Sequence, residues 1–150
     1  MRTFALALCA VAVSLPRPHA RKASWQLVPS AASVPRARRL VCGQLAEWGI
    51  DEQGETARLL VSELVTNALR HAWGPIRLAV SCGEETLRCE VNDANPVLPR
   101  VRDIDEDEEG GRGMYLLDVL SDRWGSERTL LGKVSWFELS VPARLDGTAA

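Results

Sequence analysis

Glu63, Asn67 and His71 stand four residues apart in the stretch LLVSELVTNALRHA. On a helix, residues at i, i+4 and i+8 point in nearly the same direction. One face of one helix would then carry a carboxylate, a carboxamide and an imidazole in a column. Leu60, Leu64, Ala68 and Leu69 fall between them and can bury the other side. A polar column beside an apolar stripe fits a helix that packs on a core and lines a site. The column alone fits a solvated helix face equally well.

Two more groups have the right chemistry downstream. Asp93 follows the strand-like run LRCEVN, where a carboxylate can accept hydrogen bonds from an exocyclic amine directly and through a water; the plainer reading is a turn-forming Asp. Gly110-Gly111-Arg112-Gly113-Met114 stands after a long aperiodic stretch and before a helical one. Glycines there let backbone N–H groups approach a phosphate, and a helix N-terminus favours an anion. A flexible entry to a helix has the same composition. The familiar phosphate loops are absent. Gly125 and Gly132-Lys133 do not make GxxxxGK[ST], and Gly111 and Gly113 are followed by Leu116, so GxGxxG is missing. Neither a P-loop enzyme nor a Rossmann dehydrogenase is indicated.

The elements that must position these residues read as follows. Ser24–Val28 alternates as a short strand, and Ser33 reads as an N-cap with Pro35 in the first turn. The helix after it places Val34, Ala37, Leu40, Val41, Leu45 and Trp48 on one face, and Gly49 stops it. A second helix starts within Asp51–Thr56, carries the polar column, and ends at Trp73-Gly74-Pro75. Ile76–Cys82 and Thr86–Asn92 alternate as strands joined by a hairpin at Gly83-Glu84-Glu85. Residues 94–110 are aperiodic and acidic, a length that in a compact domain is functional or disordered. Met114–Leu120 reads as a short helix, and Trp124–Arg128 and Lys133–Val141 as closing strands around a turn near Gly132, ended by Pro142. The order β-α-α-β-β-loop-α-β-β predicts an α/β two-layer sandwich, three helices on one face of a mixed sheet.

A chain of 150 residues makes one domain able to bury a core without disulfides or metal. A net charge of −2 gives no reason to expect a nucleic-acid partner. Cys9, Cys42, Cys82 and Cys89 form no CxxC pair and no metal spacing with the two histidines, which fits reduced thiols in a cytoplasmic protein. Phe4–Leu15 resembles a signal-peptide core but has a poor cleavage side at Pro18-His19-Ala20 and is too short to span a bilayer. Residues 1–22 are therefore read as a leader, disordered or signal-like, 23–142 as the domain, and 143–150 as a mobile tail.

Taken in order, the motifs resemble a known family. LVSELVTNALRHA resembles the N-box of the Bergerat-fold (GHKL) ATPase superfamily, VNDANP its first glycine box, GGRGM its second and GKVSWFEL its third. Within it the chain looks like the stand-alone anti-sigma-factor serine/threonine kinases and related ATP-binding regulators of actinobacteria, through SVPRARRLV..QLAEWG and LSDRWGS…GK..WFEL. The resemblance spans roughly residues 24–142. It implies ATP and Mg²⁺, with Asn67 holding the ion and Glu63 as general base toward a serine hydroxyl. It implies Asp93 as the reader of the adenine amino group, Gly111 and Gly113 around the phosphates, and the 94–110 loop as a lid. His71, Arg112 and Met114 would line or support the site. Two positions depart from the pattern. Asn95 replaces a glycine, in a turn where Asn tolerates unusual backbone angles. Val134 or Ser135 stands where a threonine is common, with Ser135 the candidate ligand. Implied partners are an anti-sigma-antagonist (STAS-like) domain, a sigma factor and a second copy of the chain, with no membrane. The competing expectation is a non-catalytic module that sequesters a partner with or without nucleotide.

Overall fold

Strict alternation sets the sheet. The structure is a computed structural model that describes residues 21–71, 74–97 and 109–142, the side chains of 109–114 excepted. In β2 (Ile76–Cys82) and β3 (Thr86–Asp93) every second residue is buried, from Ile76, Leu78 and Val80 to Cys89, Val91 and Asp93. β5 (Gly132–Ser140) continues that face with Phe137 and Leu139. β1 (Arg21–Leu27) and β4 (Arg123–Thr129) complete a five-stranded sheet in the order β1-β2-β3-β5-β4.

The expected two-layer α/β sandwich with three helices is present. In one detail it differs: the sheet, expected to be mixed, is antiparallel at all four ladders. A single helical crossover from β3 to β4 would give a parallel pair were the two neighbours. β5 lies between them instead, as the hairpin partner of β4. β1 begins at Arg21, so two residues assigned to the leader pair with Cys82 and Ser81.

α1 (Ser33–Glu47) buries Ala37, Val41 and Leu45, one helical face at spacing four. Ser33 is not its N-cap, contrary to expectation. It is the first helical residue, buried, and its hydroxyl donates to the Val28 carbonyl at 2.6 Å, tying the end of β1 to the helix. Gly49 stops α1 as expected: at φ 73°, its N–H donates to Ala46 O and that of Ile50 to Leu45 O, a Schellman closure.

α2 (Gly54–His71) is the central helix, burying Ala57, Leu60, Val61, Leu64, Val65 and Ala68. It packs on α1, on β3 and on α3 (Glu109–Leu120). α3 starts five residues before the expected Met114, taking the glycine-rich segment into its first turns, and its Leu117 is buried in the common core. Tertiary packing of this kind overrides the low helix propensity of glycine. Among the described residues no helix is long and apolar enough to cross a membrane. Cys42 and Cys89 are free thiols, and burial pushes the Cys89 thiol well up.

Candidate functional site

The Glu63/Asn67/His71 column lies on α2 as the spacing predicts, on its less buried side. Glu63 and Asn67 are half-buried, and no described residue hydrogen-bonds to either side chain. Burial holds the Glu63 carboxyl above the ordinary carboxylate range, and the charge of Arg70 opposes that shift. His71 differs from its two companions. Its imidazole is exposed at the last residue of α2, and its backbone carbonyl accepts a hydrogen bond from Asn95 Nδ2 at 2.5 Å. The helix end is thereby pinned to the turn that follows β3.

That turn is built around Asp93. Its Oδ1 accepts from the Asn95 N–H at 2.8 Å, and Asn95 Oδ1 accepts from the Val97 N–H at 3.0 Å. Asn95 is buried and keeps negative φ, as does every described non-glycine residue. The left-handed geometry anticipated for Asn95 is thus not used. Side-chain hydrogen bonds close the turn in place of a glycine's freedom.

Sequence reasoning missed one central residue. Lys133 stands opposite Asp93 in the β3–β5 register, and its Nζ donates to Asp93 Oδ1 at 3.1 Å and to Asn95 O at 3.3 Å. The lysine side chain is 4% exposed and the aspartate 1%, a fully buried ion pair. Burying such a pair is costly, and further hydrogen bonds offset part of that cost here: Asp93 Oδ1 also accepts from the Asn95 N–H and Lys133 also donates to Asn95 O. Gly132 makes the approach feasible: a Cβ on it would stand 2.0 Å from Asp93 O and 2.6 Å from two Ala94 atoms. A lysine at the start of a strand looks like any solvated surface charge; only the register across 40 residues brings it to Asp93.

In the third box, Ser135 is buried on the Lys133 side of β5, its Oγ 2.9 Å from Ser126 Oγ. Val134 alternates to the other face. Gly111, Arg112, Gly113 and Met114 lie in the first turns of α3, and their side chains fall outside the described residues, as does the 98–108 part of the expected lid. A cavity of about 240 Å³ lined by Cys42, Ile50, Gly54 and Arg58 sits at the opposite end of α2, away from the column. No group of three or more His, Cys, Asp or Glu among the described residues could hold a metal by itself. A divalent ion at Asn67 would draw most of its ligands from phosphate oxygens and water, which suits Mg²⁺.

The Asn95–His71 bond joins the C-terminal end of α2 to the Asp93 turn, and Lys133 joins that turn to the start of β5. The family model described as the histidine kinase-like ATPase domain matches residues 27–136, a span holding all three. The chain belongs to that family. Among solved structures, 26 chains are similar to this histidine kinase-like ATPase domain. One is the crystal structure of the RsbU and RsbW domains of Rv1364c from Mycobacterium tuberculosis, with a TM-score of 0.63 and 19% identity. The similarity covers 83% of this chain and 34% of that one, so the domain spans about a third of its length. At this identity the likeness shows a shared fold. A comparison with curated proteins gives no match. Family membership makes ATP the ligand class for the domain.

Proposed function

We propose that the domain binds Mg-ATP and acts as an anti-sigma factor serine/threonine kinase, transferring the γ-phosphoryl group to a serine of an anti-sigma-antagonist (STAS-like) domain. The observation that carries this reading is Glu63. It is a half-buried carboxylate, raised by desolvation, one helical turn from an uncommitted Asn67. A raised carboxylate is a stronger base at neutral pH than an ordinary one. Glu63 would accept the serine proton as the serine oxygen bonds to the γ-phosphorus and the bond to the β–γ bridging oxygen breaks, releasing ADP. Asn67 would hold Mg²⁺, which when bound neutralises charge on the triphosphate. Asp93 would read the adenine amino group. Gly111, Arg112 and Gly113 at the start of α3 would meet the phosphates. The RsbW domain named in the similar structure supports this reading. A sigma factor would be the second partner, a homodimer the assembly and the cytoplasm the location.

Purified protein, labelled Mg-ATP and candidate antagonist domains test it. Transfer should be lost in Glu63→Gln while ATP still binds; transfer unchanged in that variant would remove Glu63 from the base role. One observation favours a second reading, a non-catalytic partner-sequestering module: half of the Asp93 carboxylate is already taken by Lys133. ATP binding without transfer to any antagonist domain would support that module.

A further inference from the structure

Asp93 has two carboxylate oxygens, and the protein uses one. Oδ1 accepts from both the Asn95 N–H and Lys133 Nζ. Oδ2 has no hydrogen-bond partner among the described residues. Lys133 is in a matching position. An ammonium carries three N–H donors, and two are used, on Asp93 Oδ1 and Asn95 O. Among the described residues the pair therefore leaves one acceptor and one donor uncommitted.

We propose that Lys133 is a specificity-determining residue that selects adenine over guanine, an inference that rests on the nucleotide site proposed above. Adenine offers on its pairing edge one donor, the N6 amine, next to one acceptor, N1. Asp93 Oδ2 and the third Lys133 N–H are the complement of that edge. Guanine offers two adjacent donors, N1–H and N2–H, beside the O6 acceptor. Pairing with both donors requires both oxygens of one carboxylate. Lys133 and the Asn95 N–H occupy Oδ1, so guanine would leave one donor unpaired. Sites that leave a buried polar group unpaired reject the ligand strongly. The turn bonds of Asn95 and the close packing of Gly132 hold the carboxylate where this division applies.

The test is titration of the full chain with Mg-ATP, Mg-GTP and Mg-1-deaza-ATP, which keeps the amine and lacks the N1 acceptor. Wild type should prefer ATP to GTP, and ATP to the deaza analogue, each by at least about tenfold, the share of one charge-assisted hydrogen bond. Lys133→Met should bring both ratios close to one, with a cooperative melt confirming that it is folded. Lys133→Gln has two donors, enough to replace the bonds to Asp93 and Asn95 but none to spare, so it should lose the deaza penalty. A merely structural lysine would weaken all three nucleotides alike and leave the ratios at their wild-type values. Wild type binding ATP and its deaza analogue equally, or either variant keeping the wild-type deaza penalty, would overturn the proposal while the nucleotide site stands. Wild type binding no nucleotide would overturn the site and the proposal together.

Discussion

Gly132→Ala is the sharpest probe of how the Asp93 turn is held. The added Cβ would stand 2.0 Å from the Asp93 carbonyl oxygen and 2.6 Å from Ala94 C and Cα, inside the 3.0 Å that real Cβ atoms respect. The obstacles are backbone atoms, so β5 and the turn must part by about 1 Å or more. The φ of +156° adds strain for any residue with a Cβ. Overpacking of this kind costs about 1–3 kcal/mol, and the displaced turn also loosens the Lys133–Asp93 pair. A total of about 2–4 kcal/mol corresponds to a fall in Tm of roughly 6–12 °C for a chain of this size. Gly43→Ala is the control. Gly43 lies inside α1, where a Cβ meets nothing within 4 Å, and the same substitution there should raise stability by about 0.5–1 kcal/mol. Differential scanning calorimetry of the two variants reads both signs. A Gly132→Ala melt within about 1 °C of wild type would refute the close packing of β5 on the turn.

Glu63→Gln should stabilise the protein in a pH-dependent way. Burial raises the folded carboxyl above its ordinary 4.5, so above that pH the unfolded chain ionises first and the folded state loses stability as pH rises toward the folded pKa. The Tm gain of the variant should be present at pH 8 and vanish below about pH 4; a gain independent of pH would show that burial of the charge is not its source. Phe137→Ala empties a fully buried position and should cost about 3–5 kcal/mol in urea unfolding. Leu130→Ser/Leu131→Ser, at the exposed β4–β5 turn, should stay within about 1 kcal/mol of wild type.

Local rules made much of the fold legible. Period-two alternation gave β2 to the residue and β3 to within one. The apolar spacing of α1 and the Gly49 stop were visible because each is a contact among near neighbours in sequence. The misreadings come from longer range. Ser33 has the residue type of a cap, yet its hydroxyl is claimed by Val28 across the β1–α1 connection. The glycines before Met114 suggest a loop, and packing of α3 into the core makes them helix. At the site, the Glu63/Asn67 column was legible from spacing. Lys133 was not, because its role depends on which strand lies beside β3, and β5 is inserted between β3 and β4 by topology.

Calorimetric titration with ATP in the presence and absence of Mg²⁺, on wild type and Asn67→Ala, tests the central claim most directly. Wild type should bind Mg-ATP, and Asn67→Ala should lose at least about tenfold of that affinity while binding ATP in EDTA as wild type does. A wild-type protein that takes up no Mg-ATP at millimolar concentration would contradict the account.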